Sequence, residues 1–389
     1  MTVYKPLSAD DKVSTKTLLH EAIPVTGTIL SGTYGTFPND NNIENFTHGM
    51  FQSVYDYPYL SSSANHIFDI TFANHADSSL YSSITSQQLK KNNIYNQMAQ
   101  VLMGYDKDGN IQKFDEDGDL ASGGSKINDA IIIPLSRLLV KDEIKKGSFE
   151  LELGVWALYD APMTKRIKIV DQGAAQSYRV NSPAGEYGIL YATASGFSED
   201  ARPTLDPSSA HTVTLSDGNT YWRAGLIYYQ AGVAVLTSSV LSTTGAAGGG
   251  GFLANVHPAG ATAIPGGLQF TGPTHLTTTG SIISNEISAS ADFLRHRVYN
   301  MQFNNTIELN STVYFCRVKH NEFNYSSNPT YLTGSQIRVK NEATNIPISY
   351  ITSIGLYSAD NQLLAVGKFS EPIRKDNNIE LTFRARLDY

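Results

Sequence analysis

The end of the chain alternates between apolar and polar side chains, and this pattern constrains the fold more than any other feature. An α-helix repeats every 3.6 residues, so only a strand separates alternate residues onto two faces. The segment 149–155 has the same period of two. Two such segments, far apart in the sequence, predict a half-buried sheet. In the last strand the predicted inward residues are Ile379, Leu381, Phe383, Ala385 and Leu387, and the outward ones are Glu380, Thr382, Arg384, Arg386 and Asp388.

Three further patterns define the fold class. Residues 350–357 and 363–369 are strand-like and flank a five-residue polar turn, which predicts a β-hairpin. Residues 85–104 predict an amphipathic helix that Ser86 caps and Gly104 ends, with an apolar side that includes Leu89 and a polar side that includes Lys91. A shorter helix is predicted through Leu138, Leu139 and Ile144, ending at Gly147. The chain is therefore expected to be mainly β with a few helices (α+β).

The composition changes along the chain and predicts four parts. Residues 1–40 form an extended N-terminal arm, with a disordered terminus as an equal alternative. Residues 41–165 form the first part of an α+β core, residues 166–290 an inserted β domain rich in Gly, Ser and Thr, and residues 291–389 a C-terminal β part that completes the core. The expected architecture is an antiparallel β-sandwich-like core with this insertion. The glycine run at 245–251 lacks the Lys-Ser or Lys-Thr of a phosphate-binding loop, so we interpret it as a flexible loop.

Charged residues are scarce, at 17% of the chain, while Tyr is frequent, with 22 residues. This composition suits strands and buried subunit interfaces, where ionised groups are costly to desolvate. The net charge is −7 and no long basic run occurs, so nucleic-acid binding is not expected. No apolar stretch is long enough for a membrane span, and the N-terminus lacks the pattern of a secretory signal. We expect the chain to be made in the cytoplasm of its host.

Metal and cofactor sites are not predicted. His48, His66 and His75 match no compact zinc spacing, so structural roles are expected for them. The acidic segment 106–119 offers oxygen ligands for calcium, but its Asp-Gly pairs fit hairpin turns better than a helix–loop–helix calcium loop. Calcium binding there stays an open alternative. Cys316 is the single cysteine and is expected to be a small core residue.

Catalytic patterns are also missing from the sequence. It contains no Gly-x-Ser-x-Gly elbow, no His-Glu-x-x-His and no Gly-x-Gly-x-x-Gly after a strand. Glu150 and Glu152 form a carboxylate pair, but they share one strand face and fit a solvated surface better than a glycosidase site. We therefore predict that the protein is not an enzyme, and we assign no catalytic, cofactor-binding or metal residue.

Several long segments together resemble virion structural proteins of large tailed bacteriophages, of the contractile-tail, marine and cyanobacterial type. The likeness covers nearly the whole chain, including the closing hairpin and last strand, and is carried by residues 48–70 (HGMFQSVYDYPYLSSSANHIFDI), 93–102 (NIYNQMAQVL), 141–149 (KDEIKKGSF), 181–190 (NSPAGEYGIL) and 321–330 (NEFNYSSNPT).

The resemblance implies a structural subunit of a virion without fixing its place in the particle. Tail, neck or baseplate is the favoured position, and the capsid surface is an alternative. The expected partners are other virion proteins and copies of the chain itself in a symmetric ring or shell. Two other hypotheses stay open: a tail adhesin that stacks sugar rings on aromatic residues such as Tyr57 and Tyr59, and a depolymerase, although no internal repeat is visible.

Overall fold

The computed structural model describes residues 4–25, 40–78, 81, 85–121, 124–154, 166–195, 211–241, 286–295, 297–326, 332–333, 336–337, 344 and 346–389. Several sequence predictions lie partly or wholly outside these residues. They concern the N-terminal arm at 1–3 and 26–39, the end of the first core part at 155–165, the insertion at 196–210 and 242–285 with its glycine run at 245–251, and the end of the segment 321–330.

The described chain is mainly β, as predicted. Its helices are α1 (Ser86–Leu102), α2 (Arg137–Val140), α3 (Ala174–Ser177) and α4 (Ile287–Arg295). Its strands are β1 (Lys12–Pro24), β2 (Ile43–Asn45), β3 (Gln52–Tyr55), β4 (His66–Asn74), β5 (Asp129–Pro134), β6 (Glu143–Ile144), β7 (Glu150–Gly154), β8 (Arg166–Val170), β9 (Arg179–Ser182), β10 (Gly185–Ser195), β11 (Thr212–Thr214), β12 (Thr220–Tyr228), β13 (Val233–Thr237), β14 (Val298–Val318), β15 (Leu332–Thr333), β16 (Gln336–Ile337), β17 (Ile348–Tyr357), β18 (Leu363–Asp376) and β19 (Leu381–Asp388).

Fifteen of these strands form one large sheet, in the order β1-β14-β7-β8-β10-β12-β13-β5-β4-β3-β2. Strands β6 and β19 pair with β14, β9 pairs with β10, and β11 pairs with β12. The ladders of β7 with β8, β10 with β12 and β13 with β5 are antiparallel. The strands β8, β10, β12 and β13, which come from the predicted insertion, therefore lie between β7 and β5 in this same sheet.

The central strands are apolar because both faces of the sheet are covered. In β5, Ile131 and Ile133 belong to one buried cluster and Ile132 belongs to another. Each fully buried Ile contributes about 1.5–3 kcal/mol through the area removed from water. A run of consecutive isoleucines is typical of a strand buried on both sides, whereas an alternating segment such as 150–154 keeps one polar face.

Helix α1 confirms the predicted helix at 85–104, with two corrections. Thr85 is the N-cap and Ser86 is the first helical residue, so the predicted cap is wrong by one position. Leu89, predicted on the apolar side, is 42% exposed, while Lys91, predicted on the polar side, is completely buried. The ring of Tyr95 anchors the buried face, because its hydroxyl donates a hydrogen bond to the Ile127 carbonyl at 2.7 Å.

The second predicted helix is mostly wrong. Helix α2 ends at Val140, and Lys141 then takes a positive φ of 58°. The chain continues into β6, where Ile144 pairs with Asn305 of β14. Residues 138–144 therefore turn onto a strand. There the Ile144 amide donates to the Tyr229 carbonyl and the Lys145 amide to the Asn304 carbonyl of β14, and a helix would forgo both partners.

The chain divides into two compact units. Unit 1 consists of residues 1–19 and 308–389, and unit 2 consists of residues 20–307. The four-part division suggested by composition stays a prediction. Within unit 1 the structure confirms the predicted hairpin as β17 and β18, and the predicted last strand as β19, in which Phe383 is buried and Arg384 and Arg386 are exposed.

Candidate functional site

Unit 1 lacks a hydrophobic core among its described residues. Its buried apolar side chains are Val313, Val318 and Phe383, and each of them is still 9% exposed. Both clusters of buried apolar residues consist entirely of unit 2 residues. Because burial of apolar area is the main favourable term in folding, the described part of unit 1 gains little stability from this term.

The most exposed part of unit 1 is the two-stranded sheet of β17 and β18, here named the ribbon. No residue from 350 to 374 is buried, although the segment is rich in Ile, Leu, Val, Tyr and Phe. A two-stranded sheet alone is marginally stable in water. The ribbon therefore presents an apolar surface of the kind that marks a protein–protein contact. Its exposed large side chains are Tyr350 (55%), Tyr357 (42%), Leu363 (54%), Leu364 (68%) and Val366 (61%).

The base of the ribbon is fixed within unit 1. Lys375, which is fully buried, donates hydrogen bonds from Nζ to Asn324 Oδ1 at 2.7 Å and to the His320 carbonyl at 3.1 Å. The rings of Phe369 and Phe383 lie 4.8 Å apart. These contacts orient the ribbon while its strands stay exposed, so the surface is held in place before any partner arrives.

A second surface of unit 1 is formed by β1, β14 and β19. Apolar Val13, Val313 and Phe315 line a shallow groove together with Arg384 and Arg386. Arg386 donates from Nε to Asp388 at 2.7 Å, so it is paired within its own strand. The groove combines apolar area with positive charge, which suits a partner that carries carboxylates.

Unit 2 contains a pocket beside Asp171, lined also by Gly147, Phe149, Glu150, Lys168 and Gly173. The buried carboxylate accepts hydrogen bonds from the Gly147 amide at 2.7 Å and from the Tyr229 hydroxyl at 3.0 Å. Burial raises the pKa of Asp171 to about 6. A pKa near neutrality is common at catalytic carboxyls, but the bonds to Gly147 and Tyr229 already satisfy this one, so its local role is structural.

The carboxylates of Asp115, Asp117 and Asp119 lie within 4.8 Å of one another and could supply oxygen ligands to calcium. Asp115 is already paired with Lys126, whose Nζ lies 2.9 Å from Oδ1, and it accepts a hydrogen bond from the Leu120 amide. The calcium hypothesis therefore stays a prediction. At the start of the segment, Asp106 accepts bonds from the amides of Asp108 and Asn110, which confirms a turn there.

The three histidines have separate local partners. The Nδ1 atom of His48 accepts a hydrogen bond from the Met50 amide, and that of His75 accepts one from the Asp77 amide. The Nε2 atom of His66 lies 2.8 Å from Asp69. Burial lowers the pKa of His75, which favours its neutral form. Each imidazole therefore has a hydrogen-bond partner within its own turn or strand.

Glu150 and Glu152 are paired across strands rather than solvated. Lys168 lies 2.8 Å from Glu150, and Arg166 lies 3.2 Å from Glu152, because β8 runs antiparallel beside β7. Cys316 is half-buried on β14, opposite Phe383, so the prediction of a core cysteine is wrong.

Buried Lys91 was not expected from the sequence. Burial lowers the pKa of its ammonium to about 8, and the nearby Asp129 carboxylate opposes this shift. A lysine in a helical segment normally marks the solvent side, so only the position of α1 against β4 identifies this one.

Comparison of the chain with protein-family models, with curated proteins and with solved structures found no match. Among the described helices, none is both long and apolar enough to cross a bilayer. The exposed surfaces of unit 1 are therefore the strongest indication of function that the structure provides.

Proposed function

We propose that this chain is a structural subunit of a bacteriophage virion that acts through protein–protein assembly and not as an enzyme. The observation that carries the proposal is the lack of an apolar core in the described part of unit 1, together with the exposed ribbon. Apolar strands that stay exposed in one chain become stable when a neighbour covers them. This arrangement suits a subunit whose task is to hold other parts in place.

The resemblance of long segments to virion structural proteins supports the assignment to a phage particle. Tail, neck or baseplate is the proposed position, with the capsid surface as the alternative. The proposed partners are copies of this chain in a symmetric ring or shell and other virion proteins. For the finer architecture we propose a sandwich-like core in which residues 166–290 are inserted in the sequence between the paired strands β7 and β14 and add β8, β10, β12 and β13 to the large sheet.

Electron microscopy of the intact particle tests this proposal directly. We expect density for the chain at repeated, symmetry-related positions, with unit 1 covered by neighbouring protein. Sedimentation of the purified chain is the companion measurement, and we expect species larger than a monomer. Absence of the chain from purified particles, combined with turnover of a substrate, would refute the proposal.

The exposed rings of Tyr57 and Tyr59 favour a second candidate function, binding of a host-surface glycan at the tail. The side chains are 39% and 38% exposed, and exposed aromatic rings can stack on sugars. A glycan array with Tyr57→Ala and Tyr59→Ala variants tests this. The control is Tyr105→Ala, since Tyr105 is also an exposed tyrosine of unit 2. Saccharide binding that is lost in the first two variants and kept in the control would favour an adhesin.

A further inference from the structure

Four long strands of unit 1 or its boundary keep one edge open. Among the described strands of eight or more residues, β1, β17, β18 and β19 each have one edge without a strand partner in the described chain. An open edge presents unpaired amide and carbonyl groups that can template a further strand. Natural proteins protect such edges with charged side chains or proline. The composition of each edge therefore indicates whether pairing with a further strand is disfavoured.

Three of the four edges carry such protection. Strand β1 contains two lysines and a glutamate, and β19 contains two arginines and an aspartate. Strand β18 contains Pro372, which has no amide to donate, together with Lys368 and Glu371. These residues make pairing with an unmatched strand unfavourable.

Strand β17 is different. Its ten residues, ISYITSIGLY, include no acidic or basic side chain and no proline. The edge of Ile348–Tyr357 thus carries neither charge nor proline, and its β-branched and aromatic residues favour strands. Its ladder to β18 shifts register between Ile351 and Ser353 and between Leu356 and Tyr357, so its regular stretches are 348–351 and 353–356. The exposed side chains of Tyr350 and Tyr357 lie along it.

We infer that β17 pairs with β17 of a second copy of this chain, antiparallel and about a two-fold axis. An uncharged strand can face itself without the like-charge repulsion that charged cross-strand pairs suffer. Among the described strands of eight or more residues, the other open edges carry charges or proline, so its own copy is the best-matched partner. A two-fold contact of this kind is self-complementary and needs one surface only. The inference rests on the proposed function, since it names the partner of the assembly.

The pairing joins two ribbons into a four-stranded sheet. About ten backbone hydrogen bonds form across the axis, following the usual antiparallel ladder. The enlarged sheet then has the number of strands that an isolated ribbon lacks for stability. The exposed apolar side chains of Leu364 and Val366 become part of a wider surface that further subunits can cover.

Charge exchange at the centre of β17 tests the inference. Thr352 and Ser353 are exposed. One double variant carries Thr352→Lys and Ser353→Lys, and a second carries Thr352→Glu and Ser353→Glu. Each variant alone places like charges across the axis, and we expect at least a tenfold rise in the dissociation constant by sedimentation. An equimolar mixture should recover to within about threefold of the unaltered chain, because opposite charges then meet.

The control adds the same charge to the same ribbon away from the edge. The double variant Ala359→Lys, Gln362→Lys lies in the hairpin turn and should associate like the unaltered chain. Two results would show that self-pairing of β17 is wrong while the assembly function stands. In the first, the Thr352→Lys, Ser353→Lys variant associates as tightly as the unaltered chain. In the second, the mixture of Lys and Glu variants associates as weakly as each variant alone. An unaltered chain that stays monomeric at every concentration overturns both.

Hydrogen exchange of the unaltered chain gives a test that needs no variant. We expect the amides of residues 348–357 that do not pair with β18 to exchange slowly at high protein concentration and at least tenfold faster after dilution to the monomer. Equal exchange of this segment at both concentrations, in a chain that does associate, overturns the inference.

Discussion

Units 1 and 2 are both built mainly from antiparallel strands, but among the described residues only unit 2 encloses a core. In unit 2, β5 is covered on both faces, and residues such as Phe72 and Trp222 are buried almost completely. In unit 1, the ribbon has no buried residue from 350 to 374. The difference teaches that strand periodicity specifies which faces can be covered, while the residues that cover them are set by tertiary contacts, which the described part of unit 1 lacks at the ribbon.

The pKa shifts of the carboxyl groups also differ between the two units. Burial raises the pKa of Asp171 and of Glu116 in unit 2. In unit 1, a hydrogen bond from Lys5 lowers the pKa of Glu322, and bonds from Ser311 and Arg386 lower that of Asp388. Unit 2 therefore holds these two carboxyls away from water, although it also has surface carboxyls whose pKa hydrogen bonds lower, such as Asp77 and Asp106. The shifted carboxyls described in unit 1 all lie at its surface.

The sharpest test of this contrast is the same substitution in each unit. We expect Phe72→Ala to lower the free energy of unfolding by about 3–5 kcal/mol, since Phe72 is fully buried in a packed cluster. Phe383→Ala in unit 1 should cost the unassembled chain about 1–2 kcal/mol, because its surroundings are open. Denaturant unfolding with both variants checks this, and equal losses would show that unit 1 has a core after all.

The next effect concerns pH. The folded pKa of Asp171, about 6, lies above its ordinary value of 3.8, so the folded state gains stability from this group as the pH falls from 7 towards 4. The gain is at most about 3 kcal/mol, from about 1.4 kcal/mol for each pH unit between the two values. Unfolding of the unaltered chain and of Asp171→Asn across pH 4–7 isolates this contribution. Parallel curves for the two proteins would contradict it.

A third test weakens the exposed surface of unit 1 without touching unit 2. The double variant Leu364→Ser, Val366→Thr removes apolar area from the ribbon. We expect about a tenfold weaker self-association, close to 1.4 kcal/mol, with the denaturant midpoint of unit 2 unchanged. Leu138→Ser is the matched control, because Leu138 is 78% exposed in unit 2. Equal effects of the two variants on association would remove the distinction between the units.

The smallest expected effect is at the cross-strand ion pairs of unit 2. Glu150→Gln removes the partner of Lys168, and both side chains are partly exposed. We expect a loss of less than about 1 kcal/mol, as for other ion pairs near the surface. Thermal unfolding at low and high salt measures it. A loss of several kcal/mol would mean that this pair is as important as the buried residues beside it.

The local patterns of the sequence were sufficient for the strand at 150–154, the β17–β18 hairpin, the last strand and the long helix, but they did not predict the longest strand, β14. The alternation at 381–388 and the polar turn between β17 and β18 predict these elements because strand period and turn chemistry are local properties. The short segment at 138–144 was predicted wrongly as a helix, since its apolar spacing fits either structure and the pairing of Ile144 with Asn305 decides.

By itself, the sequence determined that the chain is mainly β, where its clearest strands lie and that no familiar catalytic pattern is present. Only the tertiary structure decided which lysine is buried, that Tyr229 donates to Asp171, and that the predicted insertion lies within the large sheet. It also decided that unit 1 keeps its apolar strands exposed. The reason is physical: period and propensity act over a few residues, whereas burial depends on which distant strands meet.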